Sequence, residues 1–436
     1  MWTTSHAWLG VISRTIEERA EGSPDDSARS LLSAAAVRST ARRVLTLALD
    51  RSLDDWTVDM DRLPHTAEFV GKVVRDRYPT LHPPFHARWR HFVFDGRDLW
   101  GAIAAKRSWE GTGGAAAVAA RAAFDLAITS VLLDAGAGPE WGYRDAATGL
   151  TAARSEGLAL ASLRWFERGG LSDDPRDPLR ADAAALCRLD ARAVDEAFQS
   201  GDGNLLQGAS GRAALLNRLG SAMLSRPDLF ALADLPRPGG LFDVLSARAS
   251  PQGRLAAATI LEVLLEGLGS IWPNRPVLDG VPLGDCWPYP ALRGERPAQG
   301  FVPLHKLSQW LAYSLIEPLE NAGLTVVDVG ALTGLAEYRN GGLFVDMGVL
   351  VPRDAAALSR THSVSDPFVV GWRSATVALL DEIAPLVAAQ LGLAAEEFPL
   401  PRVLEGGTWA AGRLIAREKR AAAGPPFQIS SDGTVF

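Results

Sequence analysis

The sequence predicts a mainly α, compact multi-helical body with small β-hairpins. Apolar residues recur at helical spacing through most of the 436 residues. Strand signals are few and short, and the clearest sit beside Asp-Gly turns. The chain has no alternating strand–helix rhythm and no GxGxxG or P-loop sequence, which disfavours a doubly wound nucleotide-binding fold.

Residues 1–26 read as a flexible arm ending in Gly22-Ser23-Pro24-Asp25-Asp26. Residues 27–436 read as a single mainly helical domain, with a boundary between two lobes near 272–300. The first helix falls within Ser30–Leu49, where apolar positions recur among Arg38, Arg42 and Arg43. Pro64 suits the first turn of a helix running to Arg77, which Pro79 ends. Further helices are expected near Ala115–Leu133, Glu156–Phe166, Arg212–Leu224, Leu255–Leu268, Pro303–Leu319, Val369–Leu391 and Arg402–Arg420. Val277–Leu283 reads as a hairpin around Asp279-Gly280, and Gln428–Phe436 as a second around Asp432-Gly433. The tryptophans and prolines of 272–300 indicate an ordered, packed loop.

At 47% hydrophobic and 22% charged residues, extended disorder is excluded and a buried core is expected. Fifty-one acidic side chains outnumber 44 basic ones, giving a net charge of −7. That balance argues against nucleic acid or an anionic membrane as partner and leaves room for a local basic pocket. Cys187 and Cys286 lie in no CxxC pattern, so neither a disulfide framework nor a zinc site is indicated. The most apolar stretches carry Arg121 and Asp125, or Glu262 and Glu266, so no membrane span is expected. With no basic-then-apolar leader, the expected location is cytoplasmic.

Five stretches bear chemistry-capable residues, each with a structural alternative. His82 to Phe92 holds His82, His86 and His91 beside Arg88, Trp89 and Arg90. The arginines offer planar donor forks and Trp89 a stacking face for an anionic substrate; the alternatives are a packing loop or a metal centre on the histidines. Glu140, Trp141, Tyr143 and Arg144 follow an apolar helix, before Arg154-Ser155-Glu156 open the next one; they read as pocket or as caps. On Pro303–Leu319, Leu304, Leu307, Leu311 and Leu315 form an apolar stripe. His305, Lys306, Gln309, Trp310 and Tyr313 gather opposite it, as a pocket wall or a second buried interface. In Gly334–Asp346, Gly341-Gly342 is expected to make a tight turn. A hairpin there would bring Glu337 and Asp346 together as a carboxylate pair, with Arg339 to tune a pKa or hold an anion; the alternative is a capped helix turn. Glu405, Trp409, Gly412 and Arg413 put small residues on one helix face, which signals close packing, while Glu405 and Trp409 can reach a site.

The strings PFHARWRHF, RSEGLALASL, HKLSQWLAYSLIEPLE, LTGLAEYRNGGLFVD and VLEGGTWAAGR, with the terminal SDGTVF, resemble the uracil-catabolism protein four family from about Val37 to Phe436. The resemblance implies a role in pyrimidine degradation after the uracil ring, carried on a ribonucleotide, has been opened. The ring-opening partner resembles a GTP cyclohydrolase II, and transient contact with it is expected. Its product is of the ribosylurea type, from which urea must still be freed. The segment Glu337-Tyr338-Arg339 is similar to the Asp-Tyr-Arg segment of queuosine-salvage nucleotide glycosylases, whose helical fold is similar to that of DNA glycosylases. That comparison implies Glu337 as the catalytic carboxylate; having Glu instead of Asp puts the attack geometry in question and leaves Asp346 as rival.

The expected activity is therefore hydrolysis of the N-ribosidic bond of a ring-opened uridine or UMP product. Such a reaction passes through a ribosyl cation that a carboxylate stabilises while it activates water, and it needs no metal or other cofactor. Gln309, His305 or Tyr338 would serve the leaving urea, and arginines or Lys306 a phosphate. Two other readings stand beside it. One is a metal-dependent amidohydrolase centred on His82, His86 and His91; the other is a non-catalytic scaffold for the ring-opening enzyme. The N-ribosidic reading also places Arg88, Arg90 and Lys306 in one cavity with Glu337.

Overall fold

Ser33 opens the first long helix, α1 (Ala34–Leu49): its backbone is extended and its hydroxyl accepts from the amide of Ala36 at 3.1 Å. This computed structural model describes residues 28–231, 235–292, 294, 296–421 and 424–430. The expected N-terminal arm and the Asp432-Gly433 turn lie outside the described residues. Pro64 stands in the first turn of α2 (Leu63–Arg77), which stops at Tyr78, before Pro79. The other longer helices are α3 (Ala115–Leu132), α4 (Arg154–Glu167), α5 (Ala209–Ser225), α6 (Gly240–Arg248) and α7 (Ala257–Leu268). They are followed by α8 (Lys306–Asn321), α9 (Tyr338–Asp346), α10 (Pro367–Leu391) and α11 (Trp409–Lys419).

The protein is mainly α with small hairpins, as expected. Among the described residues its strands form two-stranded pairs only. In the pair Val277–Leu278 with Val281–Pro282, Asp279 and Gly280 both have left-handed backbones, as a two-residue hairpin turn requires. Gln428–Ser430 instead pairs in parallel with Thr361–Ser363.

α10 is the central helix. It packs along α1 and α2, and Trp56 donates its indole N–H to the carbonyl of Phe368 at 2.8 Å. α8 packs between α3 and α7, and α9 lies on α11. One hydrophobic cluster runs from Ala34 to Phe427 through all of these helices. α3 and α10 are long and apolar enough to cross a membrane by length and composition, and both are mostly buried in this core. The charges of α3 have internal partners: Arg121 pairs with Asp243, and the fully buried Asp125 with Arg237.

The hairpin expected at Gly334–Asp346 is a helix. Gly341 and Gly342 lie inside α9, where Gly341 faces Trp372 so closely that a Cβ would come within 2.5 Å of the ring. Paired glycines therefore serve close packing here, and not a turn. Glu337 and Asp346 consequently stand at opposite ends of a nine-residue helix, about 13 Å apart along its axis.

Candidate functional site

Three helix N-termini converge on a cavity of 560 Å³. α4 contributes Arg154 and Ser155, α8 contributes Lys306 and Trp310, and α9 contributes Tyr338 and Arg339 with its cap Glu337. The partial positive charge of helix starts makes such a place favourable for electron-rich ligands. His86, His91, the segment Asp134–Pro139, Trp409, Gly424, Pro425 and Gln428 complete the wall.

Glu337 caps α9. Its Oε1 accepts from the amide of Asn340 at 2.6 Å and its Oε2 from that of Arg339 at 2.9 Å, and the residue is 6% exposed. Arg339 donates through Nε to the Tyr338 hydroxyl at 2.9 Å and lies 4.3 Å from the Trp409 ring centre. Its Nη1 is buried without a hydrogen-bond partner. Lys306 Nζ sits 5.6 Å from the Trp310 ring centre. Burial pulls the pKa of this ammonium below its ordinary value, against the charges of Glu337 and Asp134.

The other end of the cavity is aromatic. His86 stacks on Trp310 at 6.0 Å, and His91 meets Trp310 and Trp409 edge-on at 5.7 and 6.4 Å. Burial, followed by the charge of Arg88, pushes the pKa of His91 down to about 4, so the ring is neutral at pH 7 and its Nδ1 is unpartnered. Behind His86 lies Glu405, bonded to its Nδ1 at 2.7 Å and to Tyr78 at 3.2 Å. Burial alone would raise the pKa of Glu405, but the hydrogen bond and charge of His86, with His91 and Arg77, hold it at about 2. Glu405 sits in a π-helical turn, Leu404–Thr408, between Leu400–Val403 and α11. Such turns are frequent at functional sites.

Of the residues singled out in the sequence, Glu337, Tyr338, Arg339, Lys306, Trp310, His86, His91, Trp409, Arg154 and Ser155 line this cavity, with Glu405 one layer behind. The others lie elsewhere. Arg88 is fully buried and spends its guanidinium on Ser130 and Asp134, so it stands behind the wall and does not face the cavity. Arg90 pairs with Glu317 and, with Trp89, lines a separate groove; the Trp89 indole donates to the carbonyl of Ser314 at 2.6 Å. A shared cavity for Arg88, Arg90 and Glu337 is therefore not what the fold builds; only Lys306 of that group joins Glu337.

α8 explains the rest of that wall. Its positions 306 and 310 face the cavity, whereas 309 and 313 lie one step around the helix and face the core, as does His305, which precedes the helix with a left-handed backbone. His305 Nε2 bonds the carbonyl of Leu31, Gln309 accepts from the Thr333 amide, and Tyr313 donates to the Thr333 carbonyl. Glu140 and Arg144 are exposed, and the backbone of Arg144 is tied to Gln199. Asp346 is held by a bidentate pair with Arg420 at 2.6 and 2.7 Å. His82 is exposed, and among the described residues no three His, Cys, Asp or Glu side chains converge on a possible metal position.

Asp134 was not singled out by the sequence, and Arg154 was read only with Ser155 and Glu156, at the opening of a helix, as pocket or cap. Asp134 follows the apolar helix α3, and a charge there looks like an ordinary helix terminus. Arg154 carries a signal that sequence cannot reveal, a left-handed backbone with φ of 55°.

The chain matches, over residues 30–436, the model of a family described as "Protein of unknown function (DUF1688)". It is 35% identical over 435 residues to "Uracil catabolism protein 4" of Lachancea kluyveri, covering 93% of this chain and 98% of that protein. It is 37% identical over 418 residues to "Protein urg3" of Schizosaccharomyces pombe (strain 972 / ATCC 24843), with the same two coverages.

Proposed function

The chain belongs to the family described as "Protein of unknown function (DUF1688)", and from that premise we propose that it is a hydrolase of uracil catabolism. The reaction is cleavage of the N-ribosidic bond in a ring-opened uridine or UMP product of the ribosylurea type, with release of urea. The name of the Lachancea relative supports the pathway. The observation that carries the reaction is the Glu337 carboxylate, set in the wall of a cavity with cationic and aromatic neighbours.

Each oxygen of Glu337 accepts one backbone N–H bond and retains a second lone pair, so the group can still face a substrate. As the bond from the anomeric carbon to nitrogen lengthens, positive charge develops on the sugar, and the carboxylate stabilises it. Water adds its oxygen to that carbon. The proton it releases ends on the leaving nitrogen, so sugar and urea are the products. In this reading Tyr338, in the cavity wall, hydrogen-bonds the leaving group, and Trp310 and Trp409 give the site an apolar border.

The test is incubation of the purified protein with ring-opened uridine compounds and assay of free urea. Glu337→Gln keeps one acceptor oxygen and the side-chain shape but removes the charge. It is expected to lower kcat by about a hundredfold or more, while the loss of cap strength costs about 1 kcal/mol. Near-normal turnover in this variant would remove Glu337 from the chemistry. Asp346→Asn leaves the Glu337 carboxylate in place and is expected to lower kcat far less than Glu337→Gln does.

A further inference from the structure

We infer that the end of this cavity bordered by Arg154 and Arg339, where α4 and α9 meet, is a subsite for a phosphate monoester, so the sugar cleaved in the same cavity carries a terminal phosphate. This rests on the N-ribosidic reading of that cavity and names its substrate class. A side cleft of about 10 Å³, room for one water, opens beside the main cavity, and the two share Arg154, Tyr338, Arg339, Gly424 and Pro425, so the phosphate sits on the cavity side of these residues. Arg413, Arg420 and Asp346 close its far side.

Charge is the first argument. Arg413 pairs with Glu156 at 3.1 Å and Arg420 with Asp346, but Arg154 and Arg339 pair with no described carboxylate. Four guanidiniums against two carboxylates leave two positive charges, the complement of a phosphate dianion. Arg339 is the second argument. It is 7% exposed, lies over the Trp409 ring at 4.3 Å, and keeps Nη1 buried with no acceptor. A buried guanidinium N–H without a partner is unfavourable in the empty protein and becomes satisfied when an anionic oxygen arrives.

The third argument is Arg154. As the first residue of α4 it holds a left-handed backbone, φ 55°, that a side-chain-bearing residue adopts at a cost. Its side chain makes no described ion pair that would offset this strain. The N-terminus of α4, fourteen residues long, has no side-chain cap, and Arg154 and Ser155 both border the cavity. A phosphate at the junction of the two spaces meets Arg154, Arg339 and the helix start together.

Calorimetric titration of the full chain tests this with three probes: ribose 5-phosphate, ribose and inorganic phosphate. Ribose 5-phosphate is expected to bind at least about tenfold more tightly than either of the others, since sugar and phosphate then occupy adjoining places. Arg339→Ala and Arg154→Gly are each expected to weaken it by about tenfold or more. Arg154→Gly also separates the subsite from a structural role, because glycine relieves the left-handed backbone and Tm is expected to stay level or rise. Equal affinity for ribose and ribose 5-phosphate, or unchanged binding in both variants, would overturn the inference. So would inorganic phosphate binding as tightly as the sugar phosphate, which assigns the subsite to a free anion. The two readings fail separately: tight, arginine-dependent ribose 5-phosphate binding without any urea release keeps the subsite and removes the glycosidase. Urea release with equal kcat/KM from phosphorylated and unphosphorylated compounds does the reverse.

Discussion

Glu405 contributes more to the folded chain as an anion than it would as an acid. Its pKa of about 2 in the fold, against an ordinary glutamate near 4.3, corresponds to roughly 3 kcal/mol. The sign follows from the depression. The stabilisation is fully present above the unfolded pKa and is lost as pH falls toward the folded one, between about pH 5 and pH 2. Urea midpoints measured from pH 7 down to pH 3 are therefore expected to fall less steeply for Glu405→Gln than for the wild type. Identical slopes would mean that the His86–Glu405 pair contributes nothing to acid sensitivity. The same pair shows why single residues were only partly legible. Arg88 and Arg90 were read as substrate donors because a guanidinium fork suits an anion. The same fork suits a buried carboxylate, and Asp134 and Glu317 reach them from 46 and 227 residues along the chain. Residue type announces the chemistry of a side chain and is silent about which partner the fold supplies.

Helix faces were legible, and the reason one segment was misread is specific. Apolar spacing located the long helices, and the small residues after Glu405 signalled close packing: a Cβ on Gly412 would lie 2.1 Å from the carbonyl oxygen of Arg339, and one on Gly407 would lie 2.5 Å from Val70. Gly341-Gly342 carries the same meaning in α9 but looked like a turn, because a glycine pair has no intrinsic sign of which role it plays. On α8, a single polar arc was read as one surface although residues 309 and 310 differ by about 100° in direction, enough to send one to the core and the other to the cavity. The contact between α9 and α11 can be tested. Gly412→Ala forces the helices apart at the residue that bears the unpartnered guanidinium, and is expected to cost about 1–3 kcal/mol and to weaken ligand binding. Gly211→Ala in α5, where a Cβ meets nothing within 4 Å, is expected to stabilise by about 0.5–1 kcal/mol. Equal effects of the two substitutions on Tm would mean that helix propensity, and not the α9–α11 approach, sets the outcome.

The loop at 272–300 is tied to the site through the Asp285–Arg373 ion pair. Asp285 holds Arg373 of α10 with two bonds of 2.8 Å, and accepts from the Trp287 indole at 2.9 Å and from the amide of Lys306 at 3.0 Å. Its own backbone carbonyl accepts from Leu304 and His305. Arg373 in turn donates through Nε to the carbonyl of Ala336, next to Glu337. Burial would raise the pKa of Asp285, but the charge and hydrogen bonds of Arg373 hold it well below the usual carboxylate range. A single side chain thus sets the start of α8, anchors the loop and supports the segment that presents Glu337. Since one hydrophobic cluster joins α1 to Phe427, disturbance at this pair should be felt throughout. Asp285→Ala removes the two bonds to Arg373 and those from Trp287 and Lys306, and is expected to lower stability by about 3–5 kcal/mol. Unfolding in urea, followed by tryptophan fluorescence and far-ultraviolet circular dichroism on the same samples, is expected to remain one coincident transition moved to lower denaturant. Two separated transitions, with only the later one at its wild-type midpoint, would show instead that the lobes on either side of the loop fold independently and that the pair stabilises just one of them.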